Sequence, residues 1–431
     1  MEITTTGPEP PNHMNSTSLS RSLARFAAGA VLLCAGLLSA CGGGGSSPTS
    51  SPTSSPTSAP TSSPTASPAD LGSLRVALTD APACGYDAVF VTVREVRAHK
   101  SSTATEDDTG WAAITLPSPQ RIDLLRLNNG ALHELGQTPL EPGRYTQLRL
   151  VLAENTVDAP LANAVQPTGQ TEVALETPSA WRSGLKMNID VEVSAQQIAD
   201  VVIDFDACQS VLRAGASGRH LLKPVLRVTP RYLSGVRGHL DLSAVAGAAV
   251  TLQTGGSVVK ATAPDLATGA FRLTPVAPGT YDLVITVPGR TTAVITGVKV
   301  LPDTLTDVSD TPLAPLACDC GTVQGRVTAP ATPLGLDALV QVHQALGPGG
   351  PAFEIARMVV DAQTGEYRFG LAVVAPVVAA FSASGAALSF APATEVAGVY
   401  EVRATAAGVT QGPVAVTVSI TASAVVDFLF P

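Results

Sequence analysis

Short runs that alternate hydrophobic and polar residues fill the chain from about residue 72 to its end, and Pro-Gly, Thr-Gly or Asn-Gly pairs separate them. Val89, Val91 and Val93 alternate with polar or aromatic neighbours, as in an amphipathic strand. No long run repeats at the helical period, and the strongest helical candidate, Ser194 to Ala199, covers one or two turns. This pattern predicts an all-β chain of sandwich domains.

The N-terminal part follows a different pattern. Arg21 and Arg25 precede Phe26 to Leu38, an uncharged run of 13 residues. A membrane-spanning helix needs about 20 apolar residues, so this run instead fits the apolar region of a secretion signal. We expect residues 1–40 to be a signal peptide, with Met14 as an alternative start, although an uncleaved anchor is a competing interpretation.

The end of this run carries a motif. Leu38-Ser39-Ala40-Cys41 resembles the lipobox of bacterial lipoproteins. The resemblance implies cleavage before Cys41, diacylation of its thiol and acylation of its new amine, so that the lipid bilayer is a partner of the mature protein. Gly42 resembles the residue that follows the cysteine in lipoproteins sent to an outer membrane. The resemblance therefore predicts a lipid-anchored protein of the cell envelope, on the outer membrane.

Residues 41–71 join this cysteine to the rest of the chain. Gly42 to Ala69 is made of Gly, Ser, Pro, Thr and Ala and holds no large apolar residue. Such a segment cannot offset its conformational entropy by burial, and its prolines favour extended backbone. We predict a disordered tether that, at roughly 3 Å per residue, reaches several tens of Å.

About 360 residues follow, more than one hydrophobic core usually serves. The first predicted domain, residues 72–232, resembles the DUF4382 family of exported bacterial domains, which has no established activity. The matching segments are Thr79 to Pro82, Val91 to His99, Gly110-Trp111, Tyr145 to Leu150 and Asp204 to Cys208. The repeated short strands predict an Ig-like β-sandwich for this domain.

The second and third predicted domains, residues 233–315 and 316–431, repeat one order of motifs. VRGHL, AVTLQ, ATGAFRL and GTYDLVITVPG correspond to VQGRV, LVQVHQ, QTGEYRF and GVYEVRATAAG, and Ala372 to Val396 interrupts the repeat. Both resemble the smaller carboxypeptidase regulatory-like (prealbumin-like) sandwich. Tyr281 and Tyr400 then start equivalent strands, and Pro142 to Tyr145 suggests the same turn in the first domain.

Four cysteines besides Cys41 remain after cleavage, and an oxidising compartment favours a disulfide. Three pairings can be written, and we favour Cys84 with Cys208, since both lie in the first domain. The closed loop would stabilise the fold by about 4 to 5 kcal/mol on the chain-entropy model. Cys318 and Cys320 are open to three interpretations, namely a crosslink at the domain junction, a strained disulfide or half of a metal site. No metal is expected, because zinc needs four ligands and no second Cys-x-Cys or His-x-His pair lies nearby.

Catalytic motifs are weak. The chain has no G-x-S-x-G, and its histidines are scattered singly. The acidic groups Glu106 to Asp108 and Asp200, Asp204 and Asp206 are interpreted as solvated, with Asp204 and Asp206 on the same face of a strand. A net charge of -9 without clustered basic residues argues against nucleic-acid binding.

The sequence therefore predicts a non-catalytic structural or binding module without a cofactor, whose partner is an envelope protein or a polysaccharide. One alternative is a carbohydrate-binding surface protein, with Trp111 as the proposed ligand contact, since Trp111 follows a glycine in a predicted loop. The other is an enzyme in which His99 or His133 meets acidic residues in a cleft.

Overall fold

The computed structural model describes residues 71–80, 85–178, 180–214, 218–330, 335–383 and 387–431. These residues form 29 strands, one short α-helix and three 3₁₀-helical turns, at Leu124–Leu127, Leu242–Ala244 and Thr394–Val396. The strands build three sandwiches, each around its own hydrophobic core. The predicted all-β, multi-sandwich fold is confirmed.

The first sandwich contains β1 (Gly72–Asp80), β2 (Tyr86–His99), β3 (Ala112–Asp123), β4 (His133–Leu140), β5 (Gly143–Leu152), β6 (Ala164–Pro167), β7 (Val173–Glu176), β8 (Leu185–Val193), β9 (Ile198–Phe205), β10 (Val211–Ala214), β11 (Arg219–Leu222) and β12 (Leu226–Pro230). One sheet has the order β12-β9-β1-β4, and the other the order β10-β11-β7-β6-β2-β5-β8 with β3 also paired to β2. The valines of β2 are buried, as their alternation predicts.

The expected helix at Ser194 to Ala199 is not formed. Strand β9 begins at Ile198 and pairs in parallel with β1, starting from Ile198 opposite Ser73. The helix α1 lies instead at Ala207–Ser210, where the Asp206 carboxylate accepts a hydrogen bond from Gln209 N at 3.0 Å. Asp206 therefore acts as an N-cap, and pairing with β1 outweighs the weak local helical preference upstream.

The second sandwich contains β13 (Gly235–His239), β14 (Ala249–Thr254), β15 (Ser257–Thr262), β16 (Ala270–Leu273), β17 (Gly279–Thr286), β18 (Ala293–Val300) and β19 (Leu305–Asp307). The third contains β20 (Cys320–Thr328), β21 (Ala338–Ala345), β22 (Ala352–Val359), β23 (Glu366–Ala372), β26 (Val399–Ala406), β27 (Val409–Thr417), β28 (Ala424–Val425) and β29 (Phe428–Leu429), with β24 (Val377–Ala380) and β25 (Ala391–Pro392) inserted.

These two sandwiches share one topology. The order β15-β14-β17-β18 in the second corresponds to β22-β21-β26-β27 in the third. Likewise β16-β13-β19 corresponds to β23-β20-β28, with the last strand of each parallel to the one before it in the order. The sequence repeat therefore corresponds to a repeat of strand order.

The interrupting segment of the third domain belongs structurally to its neighbour. Strand β24 pairs in parallel with β18 and extends the larger sheet of the second sandwich. Phe381, Leu388 and Phe390 of the same segment pack on the core of the second sandwich. The third domain thus contributes a strand and apolar cover to the second.

Two tyrosines mark the predicted turns. Tyr145 Oη donates to Glu141 O at 3.1 Å, and Tyr281 Oη donates to Ala277 O at 2.9 Å, in each case four residues upstream. Tyr400 differs, since its hydroxyl donates to Ala372 O at 2.6 Å. The first two turns share one hydrogen bond across their corner, and the third ties two strands of its sandwich together.

Candidate functional site

Trp111 lies immediately before β3, partly buried, after Gly110 with φ of +94°. Its indole Nε1 donates to Thr105 O at 2.8 Å. The His99 ring centroid lies 4.9 Å from that of Trp111, and the Arg149 guanidinium carbon lies 4.9 Å from the Trp111 centroid. The indole therefore already has a hydrogen bond, an aromatic contact and a cation–π contact inside the protein.

Arg149 contacts the loop that joins β2 to β3, residues 100–111. Its side chain is 7% exposed and donates to Ala104 O at 2.7 Å and to Ser183 O at 2.6 Å. Its Nη1 also lies 3.7 Å from Glu106 Oε2. The acidic loop, Glu106 to Asp108, is thus held over the sheet partly by an internal cation. Trp111 and Arg149 both donate hydrogen bonds to backbone carbonyls of this loop. Sugar binding at Trp111 stays a prediction.

The two histidines proposed as bases have backbone or amide partners. His99 Nδ1 lies 2.9 Å from Ser101 N, and its Nε2 lies 3.0 Å from Thr109 O. His133 Nε2 lies 2.6 Å from Gln120 Oε1. Among the described hydrogen bonds of these two rings, none involves a carboxylate, and the enzyme alternative stays a prediction.

Asp204 and Asp206, predicted to share a face, do line one cavity of about 130 Å³. Asp204 Oδ2 accepts from Lys260 Nζ of the second sandwich at 2.8 Å, and the Lys260 side chain is only 5% exposed. Arg357 of the third sandwich lines the same cavity. The two acids therefore lie where all three sandwiches meet, rather than on a solvated face.

We call Asp204, Asp206, Lys260, Glu354 and Arg357 the three-domain junction. Burial raises the pKa of Asp206, while Gln209 and Arg357 act in the opposite direction. Burial likewise raises the pKa of Glu354, against the effects of Arg357 and Gln341. Desolvation disfavours the charged form of each acid more than its partners favour it.

The seam between the second and third sandwiches is centred on Gln253. Its amide Nε2 donates to Glu354 O at 2.6 Å, and its Oε1 accepts from Glu354 N at 3.0 Å. Gln253 is 0% exposed and Glu354 5% exposed. A Cβ added to Gly256, whose φ is +77°, would lie 2.2 Å from Ala352 O, so glycine permits this close approach.

Apolar contacts also join the third sandwich to the second and to the first. Phe353 of the third sandwich packs on Val284 and Val294 of the second. Against the first sandwich, Val359 of the third packs on the buried residues Leu212, Ala214 and Leu221. The backbone N–H of Ala362 donates to Arg213 O at 3.0 Å, and Lys223 forms an ion pair with Asp337.

The first and second sandwiches meet at Asn129, a non-glycine residue with φ of +57°. Its backbone N–H donates to Thr262 Oγ1 at 2.8 Å, and its Nδ2 donates to Ala270 O at 3.2 Å. Arg227 Nη1 also donates to Val259 O at 2.8 Å. Every pair of sandwiches therefore shares specific contacts.

Sequence reasoning missed this junction. Of its five residues only Asp204 and Asp206 were singled out, and both were interpreted as solvated. Gln253 and Glu354 are separated by 101 positions, and a lone glutamine in a strand gives no sign of a partner so distant. The alternating pattern of AVTLQ identifies β14 as a strand but not the surface that Gln253 faces.

The proposed disulfide is only half within the described residues. Cys208 lies on α1, whereas Cys84 lies outside them. Asp80 Oδ1, four residues before Cys84, accepts from Ala207 N at 2.9 Å. The pairing stays a prediction.

Cys318 and Cys320 are free thiols, the first partly buried and the second exposed. Burial and the neighbouring Cys320 raise the pKa of Cys318 to about 11. Cys41, the predicted signal peptide and the tether lie outside the described residues. Within the part of the chain that is described, no helix has the length and apolar character that crossing a bilayer requires.

Comparison with known families supports one resemblance. Residues 71–224 match the family model named Domain of unknown function (DUF4382). This range covers β1 to β11 of the first sandwich, so the resemblance predicted from the motifs is confirmed. No curated protein matches the chain. The carboxypeptidase regulatory-like resemblance stays a prediction.

Several solved structures share weak similarity. A type II cohesin-X-dockerin complex mutant from Acetivibrio cellulolyticus is 27% identical over 20% of this chain, with a TM-score of 0.17, and the chain spans 58% of that protein's length. The major pilin SpaA of Corynebacterium diphtheriae is 13% identical over 83% of this chain and 99% of its own, with a TM-score of 0.19. The major pilin BcpA of Bacillus cereus is 10% identical over 83% and 99%, with a TM-score of 0.16.

Proposed function

We propose that the protein is an exported lipoprotein, anchored in the cell envelope through acylated Cys41, whose three sandwiches act together as one non-catalytic structural or binding module. The observation that carries the proposal is that each pair of sandwiches is joined by buried or partly buried contacts. Domains that move independently meet over small, polar surfaces and are joined by exposed linkers. The contacts at the three-domain junction argue for a single body.

The segments between the sandwiches support the same conclusion. Arg231 N, in the first connection, donates to Asp200 O at 3.0 Å. In the second connection, Cys318 N donates to Gly289 O at 2.9 Å, and Thr291 N donates to Leu316 O at 2.8 Å. Because these connections are hydrogen-bonded to the sandwiches they join, they do not act as free hinges.

The anchor and the module have separate roles in this proposal. The Ser/Pro/Thr tether supplies reach and reorientation, whereas the sandwiches supply a fixed surface. The partners of His99, which are backbone groups, and the Gln120 amide partner of His133 Nε2 favour a module without acid–base chemistry at these rings. The outer membrane is the proposed location, since Gly42 follows the predicted lipidated cysteine.

Radiolabelled palmitate tests the anchor. The wild-type chain should take up the label and fractionate with the outer membrane, whereas Cys41→Ala should remain unlabelled and leave the membrane. An unlabelled wild-type chain, or one recovered in the cytosol with its leader intact, would overturn this part of the proposal.

Limited trypsin digestion tests the single body. Arg231 is the cleavage site in the first connection and is held by ion pairs to Glu134 and Asp200. We expect it to resist cleavage until the whole folded part unfolds. Early cleavage after Arg231, yielding a stable first sandwich, would show that the domains are independent.

A further inference from the structure

The sequence Cys318-Asp319-Cys320 lies between the second and third sandwiches, and hydrogen bonds hold its backbone on both sides. Cys318 N donates to Gly289 O at 2.9 Å, and Val373 N donates to Asp319 O at 3.1 Å. Cys320 begins β20 and pairs with Ala372. The two cysteines are thus attached to a fixed backbone, which is the condition for a preorganised binding site.

Neither Cys318 nor Cys320 takes part in a disulfide. Because Asp319 O accepts from Val373 N and Cys320 pairs with Ala372, this segment continues the ladder between β20 and β23, and the side chains of Cys318 and Cys320, two residues apart, lie on one face of it. Ala372, opposite Cys320, also accepts the hydroxyl hydrogen bond of Tyr400. Tyr400 itself is 1% exposed and is fixed by its hydrogen bond to Ala372 O. Cys320 is exposed, so a small ion can approach the pair from solvent.

The ligand set decides which metal fits. In the described part of the chain no group of three or more His, Cys, Asp or Glu side chains could hold a metal together. Zinc sites need about four such ligands, and magnesium and calcium need several oxygens. Two sulfur ligands without further donors instead suit a soft cation that accepts two-coordination, because thiolates favour Cu(I) among the common metals.

We propose that Cys318 and Cys320 bind one soft monovalent metal ion of the Cu(I) class through their two sulfur atoms. Binding replaces the two thiol protons, which pass to solvent, and forms two sulfur–metal bonds without any change of oxidation state. The metal enters as Cu(I) and leaves as Cu(I). The site is separate from the three-domain junction and from the predicted lipid anchor.

Oxidation of the pair to a disulfide is the competing chemistry. A disulfide needs its Cα atoms within about 6.8 Å and a side-chain dihedral near 90°. Closing such a ring across one intervening residue would strain the backbone that Gly289, Ala372 and Val373 hold in place. The geometry therefore favours metal binding over ring closure.

Anaerobic titration of the reduced, full mature chain with Cu(I), in competition with the chelator bicinchoninate, tests the proposal. The wild type should retain one Cu(I) more than Cys318→Ser/Cys320→Ser under the same treatment. Any Cu(I) bound by Cys84, Cys208 or an unacylated Cys41 is common to both proteins and does not affect this difference. Cys320→Ser alone should lower the affinity at least tenfold, and Asp319→Asn, which keeps both thiols, should bind like the wild type.

Circular dichroism tests whether each variant is folded. Because Cys320 is exposed and Cys318 is partly buried, Cys320→Ser should disturb the fold less than the double variant. Equal Cu(I) uptake by the wild type and the double variant would overturn the proposal. So would a wild-type chain that carries a Cys318–Cys320 disulfide in cells and, once reduced, takes up no extra Cu(I).

Discussion

Replacing Gln253 by alanine removes the hydrogen bonds at the centre of the seam between the second and third sandwiches. The Gln253 amide serves both backbone groups of Glu354, at 2.6 Å and 3.0 Å. Because Gln253 and Glu354 are almost fully buried, Gln253→Ala leaves one N–H and one C=O without their partners in a confined space. The substitution changes no charge and leaves β14 a strand.

The expected loss follows from the two groups left unpaired. A buried donor or acceptor without a partner costs about 1–3 kcal/mol, so the loss of both partners should lower the free energy of unfolding by about 2–6 kcal/mol. Gln170→Ala is the matched control, since Gln170 is exposed and a surface substitution of this kind changes stability by no more than about 0.5 kcal/mol.

Equilibrium unfolding in urea, followed by far-ultraviolet circular dichroism, measures both variants. We expect Gln253→Ala to unfold at clearly lower urea than Gln170→Ala and the wild type. If Gln253→Ala and its control unfold at the same urea concentration, the hydrogen bonds between Gln253 and Glu354 do not stabilise the fold.

Three further predictions concern the junction and the cysteines. Lys260→Met leaves the Asp204 carboxylate without its cation and should cost about 1–3 kcal/mol, less than a fully buried pair because Asp204 is 19% exposed. Adding Asp204→Leu should recover most of this loss in urea unfolding, and an unchanged single variant would contradict the prediction. Burial raises the pKa of Asp206 in the folded chain above 3.8, so the folded state binds more protons than the unfolded state above about pH 4. The wild type should therefore lose stability relative to Asp206→Asn as the pH rises from about 4, and a difference independent of pH would argue against it. Mass mapping of unreduced peptides should find Cys84 linked to Cys208, whereas free thiols at both positions would end the disulfide prediction.

Local pattern was enough to predict the strands and their repeat. Alternating valines identify β2, and the corresponding Thr-Gly-x-aromatic segments identify β16 and β23, since each strand needs only its own apolar face. The capped helix α1 was missed, because its four residues are too few to show a helical period. The helix predicted at Ser194 to Ala199 was wrong for the complementary reason: a strand partner 125 positions away, in β1, determined the conformation.

The candidate site could be predicted only in part. Asp204 and Asp206 were correctly placed near one another, because side chains two apart lie on one face of a strand. Their burial was not predicted, since it depends on Lys260 and Arg357 from two other domains. The sheet that β24 joins was not predicted either, because the sequence of a short apolar strand does not specify its partner strand.

In the proposed function the three sandwiches unfold as one unit. The chain has two tryptophans, Trp111 and Trp181, and both lie in the first sandwich, so tryptophan fluorescence reports that domain whereas circular dichroism reports all three. We expect the two signals to give the same urea midpoint in the wild type, and we expect Gln253→Ala, outside the first sandwich, to lower both midpoints together. A fluorescence transition separate from the circular dichroism transition, and unmoved by Gln253→Ala, would contradict it.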